Sequence, residues 1–403
     1  MFALLKMNSH SIPIQQDGCW PTPLQEKLLQ AALCDGEMAL NAWTSWRNSL
    51  GAGPIDVEQL ERASQRLLPL LERNLKQLGV HDDSLASFTG VARRTWRENQ
   101  MILARGTELV RGLQEDGIPT LLFKGCALTL RYYNDYSLRP MNDFDLLVPT
   151  AQAKQAFEWV LERGWEFDTQ SDPELLSEVY LENLHGHGFR NAEGRSVDIH
   201  RHLLHQSSGP EADTDFWHAA VPLEIGGVPT LTLCASDHLL VALMHGIHWD
   251  GTSPLRWVAD AMTILKVESN SLDWKRLCEQ TRKRKLALPV YAGLNYLKTK
   301  FHAPVPEVVL RELEQMPVSV WQRLEFKGWT TSHETHGPLM RFYLRYLWFS
   351  KWEISRGWRG KVFGLPLYLQ HAWKLRSPWQ VPTYAVARAT QQMRAHFLAR
   401  GQK

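Results

Sequence analysis

Two aspartates separated by a single residue are the strongest sign of chemistry in the sequence. Asp143 and Asp145 flank Phe144 at the start of the apolar run Leu146-Leu147-Val148. Because side chains alternate along a strand, we expect both carboxylates on one face and Phe144 in the core. Two acids on one face form a site for a divalent cation. Hard oxygen ligands suit Mg²⁺, which takes its remaining ligands from water and substrate phosphates.

A glycine turn precedes the acidic pair. The short apolar run from Thr120 to Phe123 is typical of a buried strand, and residues 126 to 133 have helical spacing after Lys124-Gly125. Backbone N–H groups and the positive end of the helix dipole at such a turn favour a phosphate, and Gly125 would let it approach the main chain. The sequence therefore predicts that Lys124, Gly125 and Cys126 bind phosphate.

These motifs resemble a known family. Lys124-Gly125 after a strand, followed by RPMNDFDLLV at residues 139–148, is similar to the bacterial uncharacterised-nucleotidyltransferase family of the polymerase-β nucleotidyltransferase superfamily. The superfamily has a glycine turn, an Asp-x-Asp pair and a third carboxylate on a later strand. Asp198 fits the third position, and a hairpin pairing residues 189–190 with 196–199 would carry it beside the first two acids. The resemblance covers roughly residues 85 to 265.

The resemblance implies an α/β (α+β) nucleotidyltransferase core and a Mg²⁺-dependent enzyme, with Mn²⁺ as the alternative ion. It would move a nucleoside monophosphate from an NTP, with ATP as the first candidate, to an acceptor that no motif identifies, in a biosynthetic setting. Asp143, Asp145 and Asp198 would hold two metal ions. Arg139, four residues before Asp143, would clamp a β- or γ-phosphate, and Lys124 would add a point charge. For both cations, an ion pair with a neighbouring acid is the structural alternative.

The sequence departs from the superfamily pattern at two points, and one of them, Cys126, favours a rival function. Cys126 stands where the superfamily has serine, so backbone N–H groups would have to replace a hydroxyl, and eighteen positions separate Gly125 from Asp143 (143 − 125). The first rival is a nucleotide-binding regulatory or toxin-like protein with the same fold and little activity, which Cys126 favours. The second is a glycosyltransferase built on the Asp-x-Asp, which would not need Asp198.

The sequence gives weaker evidence of a role in the metal site for other polar residues near these motifs. We interpret Asn142 and His200 as residues that orient metal ligands rather than bind the metal. The remaining histidines around the hairpin match no zinc-site spacing. They are His185, His187, His202 and His205.

The motifs need helices and strands to position them. Periodicity predicts two helices between residues 21 and 50, one helix from Asp56 to Leu78 kinked at Pro69, and a long helix from 84 to 115. The order β-α-β-α-β-(α)-β-β follows, with the parenthesised helix over 173–184. Gly226-Gly227 predicts a hairpin within 221–233, after which Ser236-Asp237 would cap a helix. We divide the chain into a helical region (1–117), the nucleotidyltransferase core (118–235) and a helical, basic region (236–403).

Composition places the chain among globular proteins. Its 403 residues are 44% hydrophobic, which permits a substantial core, and the net charge of +2 points to no general polyanion partner. Five widely spaced cysteines disfavour a disulfide framework and structural zinc. The N-terminal apolar run is too short for a signal peptide, and no long uncharged apolar stretch predicts a transmembrane segment. We expect a cytoplasmic protein.

The C-terminal tail has an unusual charge distribution. From Lys351 to Lys403 there are ten Lys or Arg against one acid, Glu353, with tryptophan, tyrosine and phenylalanine interleaved. Such a pattern suits an anionic membrane surface or a polyanion such as RNA, which would make the protein peripheral at a membrane in the first case. The alternative is a helical cap with a basic face and a tryptophan core.

Overall fold

The computed structural model describes residues 18–51, 53–168, 185–207, 209–247, 255–331, 336–350, 358–373, 375–388 and 390. These residues form two units, one comprising the described residues up to 168 and from 185 to 336, the other those from 337 onward. The three-region division inferred from the sequence stays a prediction. The helix expected over 173–184 lies outside the described residues.

A mixed sheet of seven strands organises the first unit, in the order β3-β4-β5-β2-β1-β7-β6. The strands are β1 (Leu121–Leu122), β2 (Asp145–Leu147), β3 (Glu166–Phe167), β4 (Gly186–Arg190), β5 (Ser196–His200), β6 (Val221–Ile225) and β7 (Val228–Thr232). Strand β1 is antiparallel to β2 and parallel to β7, and β2 is parallel to β5. Both predicted hairpins, β4–β5 and β6–β7, are confirmed, and so is the mixed α/β class.

Helices cover the sheet and extend the first unit. They are α1 (Pro23–Leu33), α2 (Gly36–Ser49), α3 (Arg62–Gln65), α4 (Leu68–Gln77), α5 (Leu85–Glu115), α6 (Lys124–Leu128), α7 (Ala153–Glu162), α8 (Thr214–His218), α9 (Ala235–Gly246), α10 (Arg256–Val267), α11 (Trp274–Arg284), α12 (Ala287–Phe301), α13 (Glu307–Gln315) and α14 (Val320–Thr330). Helix α6 continues as a π-helical turn, Thr129–Tyr133. One apolar cluster joins α1, α2 and α4 to α9–α13, which lie more than a hundred residues away.

Two boundary predictions were wrong. Residues 56–78 are not one kinked helix, because α3 and α4 are separate and Pro69 lies in the first turn of α4, where its missing N–H costs no helical hydrogen bond. The residues Ser236 and Asp237 do not cap a helix, since α9 already begins at Ala235. Asp237 instead forms an ion pair with Arg276 at 2.6 Å, which its sequence neighbours do not reveal.

Helix α5 fixes the orientation of the acidic pair through one close contact. Phe144, between the two aspartates, is buried in a second apolar cluster beneath the sheet. A Cβ added at Gly106 of α5 would lie 2.0 Å from the Phe144 ring, so the ring occupies the space that any larger residue would fill. With Phe144 held on that face of the chain, the flanking carboxylates are directed to the other.

The second unit contains α15 (Pro338–Ser350), α16 (Trp358–Ala372) and a 3₁₀ turn, Pro378–Gln380. Phe349 and Tyr368 form the centre of its small apolar cluster. Among the described residues, no helix combines the length and apolar character needed to cross a membrane.

We predict opposite effects for two glycine-to-alanine changes on α5. Gly106→Ala should lower the free energy of unfolding by about 1–3 kcal/mol, because the new methyl group collides with Phe144. Gly90→Ala on the same helix meets nothing within 4 Å and should raise it by up to about 1 kcal/mol through helix propensity. Urea unfolding of both variants measures the difference. Equal effects would show that the Gly106–Phe144 contact does not constrain the fold.

Candidate active site

Pairing of β2 with β5 brings two of the predicted acids side by side. Asp145 and Asp198 are register partners in this parallel pair, and the Asp198 N–H donates to the Phe144 carbonyl at 2.9 Å. Asp143 lies two residues before β2 and is half-buried. Ligand atoms of Asp145, Asp198 and His200 all lie within 4.8 Å of one another. The hairpin thus carries Asp198 beside Asp145, whereas Asp143 is not part of this group of ligand atoms.

Asp145 is buried and already paired with a cation. Its Oδ1 lies 2.7 Å from Lys124 Nζ and 3.2 Å from His200 Nε2. Burial raises the pKa of this carboxyl, but Lys124 and His200 outweigh burial and hold the pKa well below its usual range. Burial lowers the pKa of His200, so the neutral ring donates from Nε2 to Asp145. His200 therefore contacts Asp145, and its role in orienting a metal ligand rather than binding the metal stays a prediction.

Among the described residues, the other two acids have no ion-pair partner, and the charge of one acts on the other. Burial, followed by the charges of Asp145 and Asp143, raises the pKa of Asp198 to about 7. Burial and then Asp145 also raise the pKa of Asp143. Gly188, opposite Asp198 on β4, leaves room for this carboxylate, since a Cβ there would lie 3.1 Å from Asp198 Oδ1. The site concentrates negative charge beside Gly188.

The turn at Lys124 differs in detail from the expectation. The left-handed residue is Lys124, with φ of +50°, whereas Gly125 is helical. A Cβ at Gly125 would lie 2.8 Å from Arg139 Nη1, so the glycine accommodates that guanidinium. Cys126 is fully buried in the apolar cluster below the sheet, and burial raises the pKa of its thiol far above the usual range. Contact of these three residues with phosphate stays a prediction.

Arg139 makes the ion pair that was the alternative to a phosphate clamp. Its Nε and Nη2 each lie 2.8 Å from a carboxylate oxygen of Asp260 on α10, and both side chains are buried. Tyr133 donates to the same carboxylate at 2.8 Å. Arg139 Nη1 is buried without a hydrogen-bond partner among the described residues. A direct contact between Arg139 and phosphate stays a prediction, and only Nη1 remains for it.

The loop before the acids is held by a residue that sequence reasoning missed. Asn99 of α5 is fully buried, and its Nδ2 donates to the carbonyls of Tyr136 and Arg139 at 2.7 and 2.8 Å. Its Oδ1 accepts from the Met141 N–H at 3.1 Å. Local sequence gives little indication of Asn99 and none of Asp260, because the partners of Asn99 are 37 to 42 positions away and those of Asp260 are 121 and 127 positions away. A polar residue on an apolar helical face was the one available signal for Asn99.

The histidines near the hairpin separate into different environments. His202 Nδ1 lies 2.8 Å from Asp213 Oδ2, His187 is buried beside Phe157 and Phe167, and the rings of His185 and His205 are 3.4 Å apart. Of these histidines, His200 alone belongs to the metal-compatible group found in the described part of the chain.

A sheet that places an Asp-x-Asp pair beside a third aspartate on a neighbouring strand defines a nucleotidyltransferase-like protein. The family model described as "Uncharacterised nucleotidyltransferase" matches residues 60–302, more than half of the chain, and the protein belongs to this family. Comparison with curated proteins gave no match.

Among solved structures, the chain is similar to an antigenic nucleotidyltransferase-like protein from Paracoccidioides brasiliensis. The two share 13% identity with a TM-score of 0.29, over 55% of this chain and 93% of that one. At this TM-score the likeness carries no weight for function.

We predict that neutralising two adjacent acids changes the stability of the metal-free protein in opposite directions. The raised pKa of Asp198 means that the folded state loses stability as pH rises from about 4 to 7, so Asp198→Asn should be more stable than wild type at pH 8 by about 1–3 kcal/mol and equal to it at pH 4. The lowered pKa of Asp145 means that Asp145→Asn should be destabilised at pH 8 by about 1–3 kcal/mol, because Lys124 loses its partner.

Urea unfolding in excess chelator at both pH values measures these changes. Stabilisation by Asp145→Asn would contradict the assignment of Lys124 as its partner. A pH-independent effect of Asp198→Asn would contradict the raised pKa.

Proposed function

We propose that the protein is a Mg²⁺-dependent nucleotidyltransferase that transfers a nucleoside monophosphate from an NTP to an acceptor and releases pyrophosphate. The observation that carries the proposal is the β2–β5 register, which sets Asp198 beside Asp145 with Asp143 two residues away. Family membership supports the reaction class. The acceptor is not identified by any described side chain, and ATP is the first donor to test.

The donor set fits a hard divalent cation. Carboxylate oxygens from three aspartates are the ligands that Mg²⁺ prefers, and Mn²⁺ accepts the same set. Burial and then repulsion between the acids raise the pKa of Asp143 and of Asp198, and a cation would relieve that repulsion. Gly188 keeps the neighbouring space clear of a side chain. Bound Mg²⁺ would supply charge neutralisation of the triphosphate and a lowered pKa for the attacking hydroxyl.

The chain's own residues would have distinct roles. Asp143, Asp145 and Asp198 would hold the metal, and the neutral His200 would keep Asp145 oriented through its Nε2–H. Lys124 neutralises Asp145 in this structure, and its side chain is long enough to turn toward a phosphate when a metal takes over that carboxylate. The backbone N–H groups at Lys124 to Cys126 would meet phosphate oxygens.

The two rival functions differ in how they use these residues. A glycosyltransferase built on the Asp-x-Asp has no role for Asp198, so the placement of Asp198 beside Asp145 favours nucleotidyl transfer. A weakly active regulatory or toxin-like protein is consistent with Cys126, whose buried side chain adds no hydroxyl to the turn. Hydrolysis of UDP-glucose would support the first rival, and NTP binding without pyrophosphate release would support the second.

We predict that Asp143→Asn, Asp145→Asn and Asp198→Asn each lower pyrophosphate release by at least about a hundredfold, because each removes a ligand charge. The matched control is Asp83→Asn, an exposed acid at the start of α5, which should leave the rate unchanged. A coupled pyrophosphate assay with each of the four NTPs and Mg²⁺ or Mn²⁺ gives the measurement. Full activity of Asp198→Asn would exclude it as the third ligand.

We also propose that the second unit associates with an anionic membrane surface. Its described residues expose Trp379 (79%), Val386 (66%) and Leu339 (85%). Arg376 and Arg388, which lie close in sequence to Trp379 and Val386, are exposed cations. Apolar side chains set among basic ones suit the headgroup region of a bilayer. This unit's small cluster around Phe349 and Tyr368 does not include these side chains.

We predict that the full-length protein sediments with phosphatidylserine vesicles at low salt and is released at high salt, since each Lys or Arg near such a surface contributes about 1 kcal/mol. Trp379→Ala with Val386→Ala should weaken binding at least about tenfold by removing apolar contact. Thr383→Ala, an exposed position between them, is the control. Equal binding to neutral vesicles, or to RNA alone, would contradict a membrane role.

A further inference from the structure

Two arginines from distant parts of the chain converge on one carbonyl oxygen beside the acidic site. Arg66, between α3 and α4, donates from Nη2 to the Pro140 carbonyl at 3.0 Å. Arg256, the first residue of α10, donates from Nη1 to the same oxygen at 3.4 Å. The distance between Arg66 Nη2 and Arg256 Nη1 is therefore no greater than the sum of their distances to the Pro140 oxygen. Pro140 lies three residues before Asp143, whose charge acts on both guanidinium groups.

The cluster holds more positive than negative charge. Within the described ranges, neither Arg66 nor Arg256 has a carboxylate in ion-pair contact, whereas Arg139 beside them is fully engaged by Asp260. Burial, then the charges of Arg256 and Arg139, lowers the pKa of Arg66 to about 9. Burial, then Arg139, lowers the pKa of Arg256 to about 10. Burial is the larger cause and the mutual repulsion of the three guanidinium groups is the second, and a bound anion would relieve that repulsion.

Anchoring the loop does not account for these arginines. Asn99 already holds the loop through three hydrogen bonds, and one carbonyl oxygen uses a single N–H of each guanidinium. Arg66 Nε is buried without a hydrogen-bond partner in the described structure. Each guanidinium carries five N–H donors in a fork that matches phosphate oxygens. Both side chains are partly exposed.

We propose that Arg66 and Arg256 form a polyphosphate subsite that binds the β- and γ-phosphates of the nucleotide and the pyrophosphate product. The proposal rests on the proposed function and adds the residues that hold the leaving group. It explains why cations from α3–α4 and α10 meet at the loop that precedes Asp143: the acids would hold the metal, while the arginines bind phosphate oxygens from the other side of that loop. Arg139, held by Asp260, would position the loop rather than contact the substrate.

The test uses Arg66→Lys and Arg256→Lys, which keep the charge and aliphatic stem but lose the fork, with exposed Arg73→Lys on α4 as the matched control. Calorimetric titration with inorganic tripolyphosphate should show affinity at least about tenfold weaker for each of the first two variants and unchanged for Arg73→Lys. The KM for ATP should rise, and inhibition by pyrophosphate should weaken, by a similar factor. Affinity for AMP should be unchanged.

The outcomes separate the two proposals. Wild-type tripolyphosphate affinity in both folded variants would overturn the subsite even if the protein transfers nucleotides. Arginine-dependent binding of tripolyphosphate by a protein that releases no pyrophosphate would support the subsite and overturn the proposed function. Circular dichroism verifies folding. If a variant is not folded, the wild-type protein provides the test. Wild type that binds tripolyphosphate no better than AMP would overturn the subsite, and wild type that binds tripolyphosphate more tightly than AMP would support it.

Discussion

Repulsion between aspartates that the sheet forces together is the constraint on which the rest of the site depends. Parallel pairing of β2 with β5 leaves Asp145 and Asp198 no freedom to separate, and Asp143 adds a third charge. Separated like charges in water would repel weakly, but burial makes the repulsion strong. The two acids are in different environments. Lys124 and His200 stabilise the charged form of Asp145, while the pKa of Asp198 rises to about 7. Neighbouring acids whose pKa values are shifted in opposite directions are typical of functional sites.

A second set of charges surrounds the loop that precedes the acids. The buried Arg139–Asp260 pair, with Tyr133, ties the loop to α10, and Asn99 ties it to α5. A buried pair of this kind contributes little net stability, since desolvation offsets its attraction, but it specifies one geometry. The loop is therefore held between two helices before any substrate binds. Arg66 and Arg256 add positive charge at Pro140, in the loop that precedes Asp143. The region therefore combines a cluster of acids with a cluster of arginines.

The glycines in this region serve packing more than backbone freedom. Gly106 admits the Phe144 ring, Gly125 admits Arg139 Nη1, and Gly188 admits the Asp198 carboxylate. The residue that does adopt a left-handed conformation at the turn is Lys124, which costs some strain for a residue with a Cβ. That conformation starts α6 directly after β1, so Lys124 lies near Asp145. Close packing around the acids thus links the helix–sheet contacts to the chemistry that the site can perform.

The sequence by itself predicted the central strands, the hairpins, the long helix and the Asp143–Asp145 pair, because alternation, turn glycines and an Asp-x-Asp are local patterns. The family resemblance added Asp198. Only the tertiary structure decided which cations accompany which acids. Lys124 pairs with Asp145 and Arg139 with Asp260 because strands and helices distant in sequence meet, and no local pattern encodes a contact across 121 positions. The separation of α3 from α4 near Pro69 and the burial of Cys126 also depend on tertiary packing. A cysteine has the same local signal in a turn that faces a ligand as in one that faces the core.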